Sequence, residues 1–383
     1  MRILVLPRDF PSDAEPASGI WVLRQLEALR ELGHEMHVIR IVPHAPPLGA
    51  KWAKYRSIPT RYEYHGIAVT TVRAIYAPRM IGAEYLYLQV ARAVAREARR
   101  IGADLIHAHA LLPEGRVAVE QSLPTVVTAH GSDAYDLPWR RAGLMRGART
   151  AVADASRVVA VSDFIRQQVL RLSNRDVSVI YNGADETVFR PRNRAEVRNA
   201  LDLPQDRKII AFIGRIFDAK GIFELLEAMR QIAHLRPILL LAGIGPHRQR
   251  AETFAREAGV DVRFLGLLDS PHVADVLAAS DVMALPSYYE GMPVVVSEAM
   301  LSGRAVVATP VGGVPEVVRD GETGMIVPFR DAGALAQRLA AVLENDDLRA
   351  RLEHAAADIA RSRLTWRYNA RAHDELYRAL LAG

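Results

Sequence analysis

Short apolar runs alternate with stretches of helical period along the whole chain. Stretches such as "RILVL", "MHVIRI", "DLIHAH", "TVVTAH", "RVVAVS" and "VSVIYN" predict strands in the first half. "KIIAFIG", "ILLLAG", "VRFLG", "VMALPS" and "AVVATP" do so in the second. Apolar strands separated by amphipathic helices are the pattern of parallel α/β structure.

The pattern also repeats. After the first strand and a loop comes "SGIWVLRQLEALRELG" (18–33), and after "KIIAFIGR" comes "KGIFELLEAMRQIAHL" (220–235). Each half therefore opens strand, glycine-bearing loop, helix, which predicts two Rossmann-like domains rather than one long sheet. The polar, proline-bearing segment 189–208 marks the boundary, giving domains 1–190 and 191–383. The tail from Leu364 reads as a helix with no strand after it, free to cross back onto the first domain. Ligands of open α/β sheets lie outside the carboxyl ends of the strands, so the cleft between two such domains is the expected site.

Composition narrows the classes. The 383 residues include no cysteine, which excludes a disulfide scaffold, a thiolate zinc site and a cysteine nucleophile, and suits a reducing cytoplasm. No apolar run reaches the roughly 18–20 residues of a membrane span. The opening "MRILVLPRDF" turns polar too early for a signal-peptide core. The net charge of +5 is carried almost wholly by arginine, and lysine occurs only at Lys51, Lys54, Lys208 and Lys220. Acidic residues alternate with the basic ones, so nucleic acid is not an expected partner. An anionic small substrate or an anionic membrane surface suits the balance. Arg92, Arg96, Arg99 and Arg100 cluster on one side of a predicted helix from Ile81 to Ile101, and "LPWRRAGLMRGAR" adds more. That face is either a membrane-docking surface or an ordinary solvated one.

Three segments carry candidate chemistry. In "FIGRIFDAKGIFELL" a strand ends at Gly214, Arg215 and Lys220 follow, and Gly221 opens a helix. Two cations beside a helix N-terminus can hold a diphosphate, though a loop with two solvated cations has the same sequence. In "SYYEGMPVVVSEAMLSG" Glu290 stands before a short helix and Glu298 inside it. A buried Glu298 needs hydrogen-bond donors, which sugar hydroxyls or a basic side chain could supply. In "TVVTAHGSD" His130 ends a first-domain strand, as a donor to a reacting sugar, a proton relay, or a structural histidine. His107 and His109 share one strand face, as packed rings or, with a third ligand, a metal site. There is no Asp-x-Asp to hold a divalent metal on a diphosphate.

These segments in this order resemble the retaining glycosyltransferases of family 4, which have the GT-B fold: α/β, two Rossmann-like domains with parallel sheets facing across a central cleft. The resemblance is strongest in "EGMPVVVSEAMLSGRAVVATPVGGVPEVVRDGETGMIV", similar to the family's Glu-x7-Glu motif, and in "GRIFDAKG", similar to its Arg/Lys diphosphate motif. It implies a nucleotide-sugar donor, UDP- or GDP-linked, and a glycan, lipid-linked or small-molecule acceptor. It implies no metal and no other cofactor. Arg215 and Lys220 would hold the diphosphate and Glu298 the ribose. Glu290, with the turn Gly291, Met292 and Pro293, would hold the donor sugar, which His130 would approach from the first domain. Gly19 would lie near the diphosphate. Gly243 would also belong to the donor site, where "GIGP" stands in place of the family's common Gly-Asp-Gly-Pro. Retention is explained in this family by same-face attack, without an enzyme nucleophile. The alternatives are a nucleotide-sugar 2-epimerase of the same fold and a non-catalytic nucleotide-sugar binder.

Overall fold

The computed structural model describes residues 1–13, 15–16, 18–44, 53–75 and 83–383. The chain divides into two compact units, Met1–Tyr181 with Arg367–Gly383, and Asn182–Trp366. The division thus falls before the expected 190/191. The helix Arg194–Ala200, capped by Asn193, is already part of the second unit. The final helix, Trp366–Ala382, lies almost entirely in the first.

The first unit is built on β1 (Arg2–Pro7), β2 (Glu35–Pro43), β3 (Arg61–Tyr64), β4 (Ile67–Ala74), β5 (Leu105–His109), β6 (Thr125–Ala129), β7 (Arg157–Ala160) and β8 (Val177–Val179). Their order is β3-β4-β2-β1-β5-β6-β7-β8, parallel throughout except the β3–β4 hairpin. The hairpin was not among the predicted strands. Its signal was the two-residue turn His65-Gly66, where both residues take positive φ, as tight hairpin turns require. The predicted helix 18–33 spans Ile20–Glu31, and that from Ile81 spans Ala83–Ile101, with Ile81 outside the described residues.

The second unit has β9 (Ile209–Ile213), β10 (Ile238–Ala242), β11 (Val262–Gly266), β12 (Val282–Leu285), β13 (Ala305–Ala308) and β14 (Met325–Ile326). They pair in the order β11-β10-β9-β12-β13-β14, all parallel. Central strands such as β5, β6, β10 and β13 are buried along their whole length, so both faces are covered by helices, the usual state of a parallel sheet. Chain order reverses at β1 in one sheet and at β9 in the other. The strand ends beside such a switch point are where an open α/β sheet leaves room for a ligand.

Candidate active site

In the second unit the switch point lies between β9 and β12. The helix Ile222–Gln231 starts at Gly221 with φ 67° and ψ 27°, and no side chain caps it. A Cβ on Gly221 would stand 2.0 Å from the Pro286 carbonyl oxygen, so only glycine lets this helix start pack on the segment leaving β12. Beside it the Tyr288 N–H donates to the Ala219 carbonyl at 2.9 Å. Together these contacts bring Lys220 to Glu290, with Nζ and Oε1 2.5 Å apart and both side chains largely buried. Arg215 stays exposed, its guanidinium 5.5 Å from the Phe217 ring centre, with no carboxylate partner among the described residues.

Glu290 precedes and Glu298 lies inside the helix Val294–Leu301, which begins just after Pro293. Met292 and Pro293 are buried, and the Gly291 carbonyl accepts the Gly313 N–H at 2.7 Å. Of the three valines, Val296 is fully buried while Val294 and Val295 are half-buried. The Glu298 carboxylate has no hydrogen-bond donor or cation among the described residues, and burial alone pushes its pKa up to about 7. Such a group is poised to accept from a ligand's hydroxyls. Gly243, at the end of β10, donates its N–H to the Gly266 carbonyl at 2.7 Å.

Two residues here escaped sequence reasoning. The Tyr288 hydroxyl donates to the Glu224 carboxylate, and the Arg330 guanidinium lies 4.8 Å from the Tyr288 ring centre. Burial and the Glu224 carboxylate push the Tyr288 hydroxyl up to about 12. The pair ties the helix after Lys220 to the loop before Glu290. Its only trace in the sequence is a tyrosine just before Glu290 and a glutamate in the helix's first turn.

The first unit repeats the helix start. Gly19 precedes Ile20–Glu31 with φ 67° and ψ 26°, and a Cβ there would stand 2.0 Å from the Asp9 carbonyl oxygen. His130 follows β6. Its backbone N–H and those of Gly131 and Leu111 donate to the Asp133 carboxylate at 3.1, 2.7 and 3.1 Å, which ties the turn after β6 to the segment after β5. The His130 ring meets His109, Nε2 to Nδ1 at 3.1 Å, and burial lowers its pKa. His107 and His109 do share a strand face, and His107 hydrogen-bonds the hydroxyls of Thr128 and Tyr377. Among the described residues no group of three or more His, Asp or Glu is arranged to hold a metal ion. Glu114, buried beyond β5, is a further residue that sequence reasoning missed. Burial pushes its carboxyl up to about 8.

The chain matches known proteins over its length. Residues 18–188 match the model described as Glycosyltransferase Family 4, and 193–358 that described as Glycosyl transferases group 1. A Bacillus subtilis protein named as a teichuronic acid biosynthesis glycosyltransferase, TuaC, is 33% identical over 351 residues, 88% of each chain. The chain belongs to glycosyltransferase family 4. This transferase is also 30% identical to the alpha-maltose-1-phosphate synthase of Mycolicibacterium smegmatis, over 100% of both chains. Among solved structures, sucrose-phosphate synthase from Thermosynechococcus elongatus superposes with a TM-score of 0.81 at 26% identity, over 100% of each. Anabaena HepE, at 22% identity and TM-score 0.78 over 99% of this chain and 100% of its own, shares the fold. The fold is GT-B, and the relatives' names make the chain an enzyme of the transferase class.

Proposed function

We propose that the protein moves a sugar from a nucleoside-diphosphate sugar, UDP- or GDP-linked, to a hydroxyl of a glycan, lipid-linked or small-molecule acceptor, with retention and without a metal. The observation that carries this is Lys220 held against Glu290 at an uncapped helix start, with the unpartnered Glu298 further along the next helix. Breaking a sugar–phosphate bond builds charge on the departing diphosphate. Arg215, Lys220 and the amides of that helix start would stabilise it where it develops. Glu290 with Gly291, Met292 and Pro293 would meet the sugar, Glu298 the ribose, and His130 the donor sugar. Gly19 and Gly243 let the backbone come close to the donor. The departing phosphate would take the acceptor's proton, so no enzyme nucleophile is assigned.

Anabaena HepE, of the same fold, was solved with UDP and with UDP-glucose, which supports a nucleotide-sugar donor. The name of the Bacillus subtilis relative supports a role in cell-envelope polysaccharide synthesis. The relatives are named for transfer or synthesis, which does not favour a 2-epimerase or a non-catalytic binder. Among the described residues no helix is long and apolar enough to cross a membrane. The reading places the enzyme in the cytoplasm, with exposed Arg92, Arg96 and Arg99 available to an anionic membrane that carries a lipid-linked acceptor. Absence of co-flotation with anionic vesicles at low salt would remove that last element.

Thermal-shift screening against UDP-, GDP- and ADP-sugars tests the main reading, because a ligand of the folded state stabilises by RT ln(1 + [L]/Kd). One nucleotide series should stand out, and transfer from it should survive a chelator. Stabilisation by none of them overturns the assignment.

A further inference from the structure

The helix Ile222–Gln231, whose first amides are proposed to hold the diphosphate, carries a competitor for them. Glu224 is its third residue. A glutamate at that position can reach back to the N–H groups of the helix start, and the partial positive charge there favours it. Yet no side chain caps this start. The first-unit helix Ile20–Glu31 begins in the same way but has Val22 at its third position and no acid in its first turn. Only the second-unit helix therefore has a carboxylate of its own to keep away.

Tyr288 holds that carboxylate. Its hydroxyl donates to Glu224 Oε1, while Oε2 is buried without a partner. This is the only hydrogen bond to the Glu224 carboxylate among the described residues. Tyr288 is itself anchored twice. Its backbone N–H donates to the Ala219 carbonyl at 2.9 Å, and the Arg330 guanidinium lies 4.8 Å from its ring centre. Its hydroxyl, pushed up to about 12 by burial and by Glu224, keeps its proton and remains the donor. Asp218, the other acid at this helix start, is engaged as well. Its carboxylate meets His247 Nδ1 at 2.8 Å and Arg250 at 3.3 Å. Both acids are turned aside, and the N–H groups of Ile222 and Phe223 have no acceptor among the described residues. Without the Tyr288 hydroxyl the Glu224 carboxylate would have no hydrogen bond, and the free donors of its own first turn are these amides.

We propose that Tyr288 is a positioning residue: it holds the Glu224 carboxylate away from its own helix start and so leaves the Ile222 and Phe223 amides free for the donor's diphosphate. Only the identity of that anion rests on the function proposed above.

Amide hydrogen exchange and calorimetry with UDP and GDP, on the full chain, test it. In the wild type the Ile222 and Phe223 amides should exchange faster than those of the next turn. Tyr288→Phe should slow them and weaken binding of the nucleotide the wild type takes, each by about five- to tenfold, the size of one helix cap. Glu224→Ala, which keeps the backbone N–H groups and removes the competitor, should bind within about twofold of wild type, and so should Tyr288→Phe combined with Glu224→Ala. A merely structural brace predicts the opposite: Glu224→Ala as weak as Tyr288→Phe, and the double variant no better. Either of those results, or equal exchange in wild type and Tyr288→Phe, overturns the proposal. If Tyr288→Phe does not fold, wild-type amides as slow as the next turn, or weakened binding in Glu224→Ala, overturn it instead. Wild-type protein that binds neither UDP nor GDP would overturn the donor assignment, and the exchange rates would still decide the role of Tyr288.

Discussion

Lys220 Nζ lies 2.5 Å from Glu290 Oε1, whereas Arg215, on the same loop, has no carboxylate partner among the described residues. The two cations proposed to hold the diphosphate are therefore held in different ways, and their removal should read out differently. Arg215→Ala takes away an exposed charge and should leave the melting temperature almost unchanged. It should lower kcat by about two to four decades, the order seen when a transition-state charge partner is lost. Lys220→Ala should lose as much in transfer and also destabilise the fold by about 1–2 kcal/mol, because it strands a mostly buried carboxylate. Steady-state kinetics beside thermal melts check both. Near-wild-type transfer in either variant sinks the diphosphate assignment.

Gly19 and Gly221 have nearly identical backbone angles, and a Cβ on either would collide with a carbonyl oxygen of a neighbouring loop. Gly19→Ala and Gly221→Ala should each destabilise their unit by at least about 2 kcal/mol. Left-handed backbone accounts for about half of that and the clash for the rest. Urea unfolding of each variant measures it. A stability within about 0.5 kcal/mol of wild type would show that the helix start shifts without penalty.

The strand–loop–helix repeat and the Glu290/Glu298 segment were legible because they are local: "SGIW" and "KGIF" show the shared helix start directly. What the sequence hid is carried by distant partners. Tyr377 meets His107 across 270 positions of chain, and Tyr288 meets Glu224 across 64. Periodicity places each on a helix or a loop and is silent on the pairing. The boundary was set too late because the proline-bearing segment 189–208 looked like a linker. Its helix Arg194–Ala200 instead holds Arg198 in a buried ion pair with Asp281, inside the second unit.

Glu298 should make the protein less stable as pH rises. Burial pushes its pKa up to about 7 in the folded chain, from the ordinary carboxyl value of 4.5. The folded state then binds its proton more tightly than the unfolded one, and the penalty grows from about pH 4.5 to about 7 and is complete above. Glu298→Gln removes it. The variant should match wild type near pH 4.5 and be more stable at pH 8 by on the order of 2–3 kcal/mol. Chemical denaturation at the two pH values is the measurement. Equal stability of the two proteins at pH 8 would mean that Glu298 ionises without hindrance.

The same group should couple donor binding to a proton. On the proposed assignment ribose hydroxyls would donate to the ionised carboxylate, so a bound nucleotide sugar would pull the Glu298 pKa down from about 7. At pH 6 the free protein holds the proton and binding must release it; at pH 8.5 the proton is already gone. Donor affinity should therefore climb with pH up to about 7, by at most about tenfold per unit, and then level. Calorimetry at pH 6 in two buffers of different ionisation heat should give different apparent enthalpies for wild type and the same enthalpy for Glu298→Gln. Equal enthalpies for wild type in both buffers would mean that the ribose does not meet Glu298.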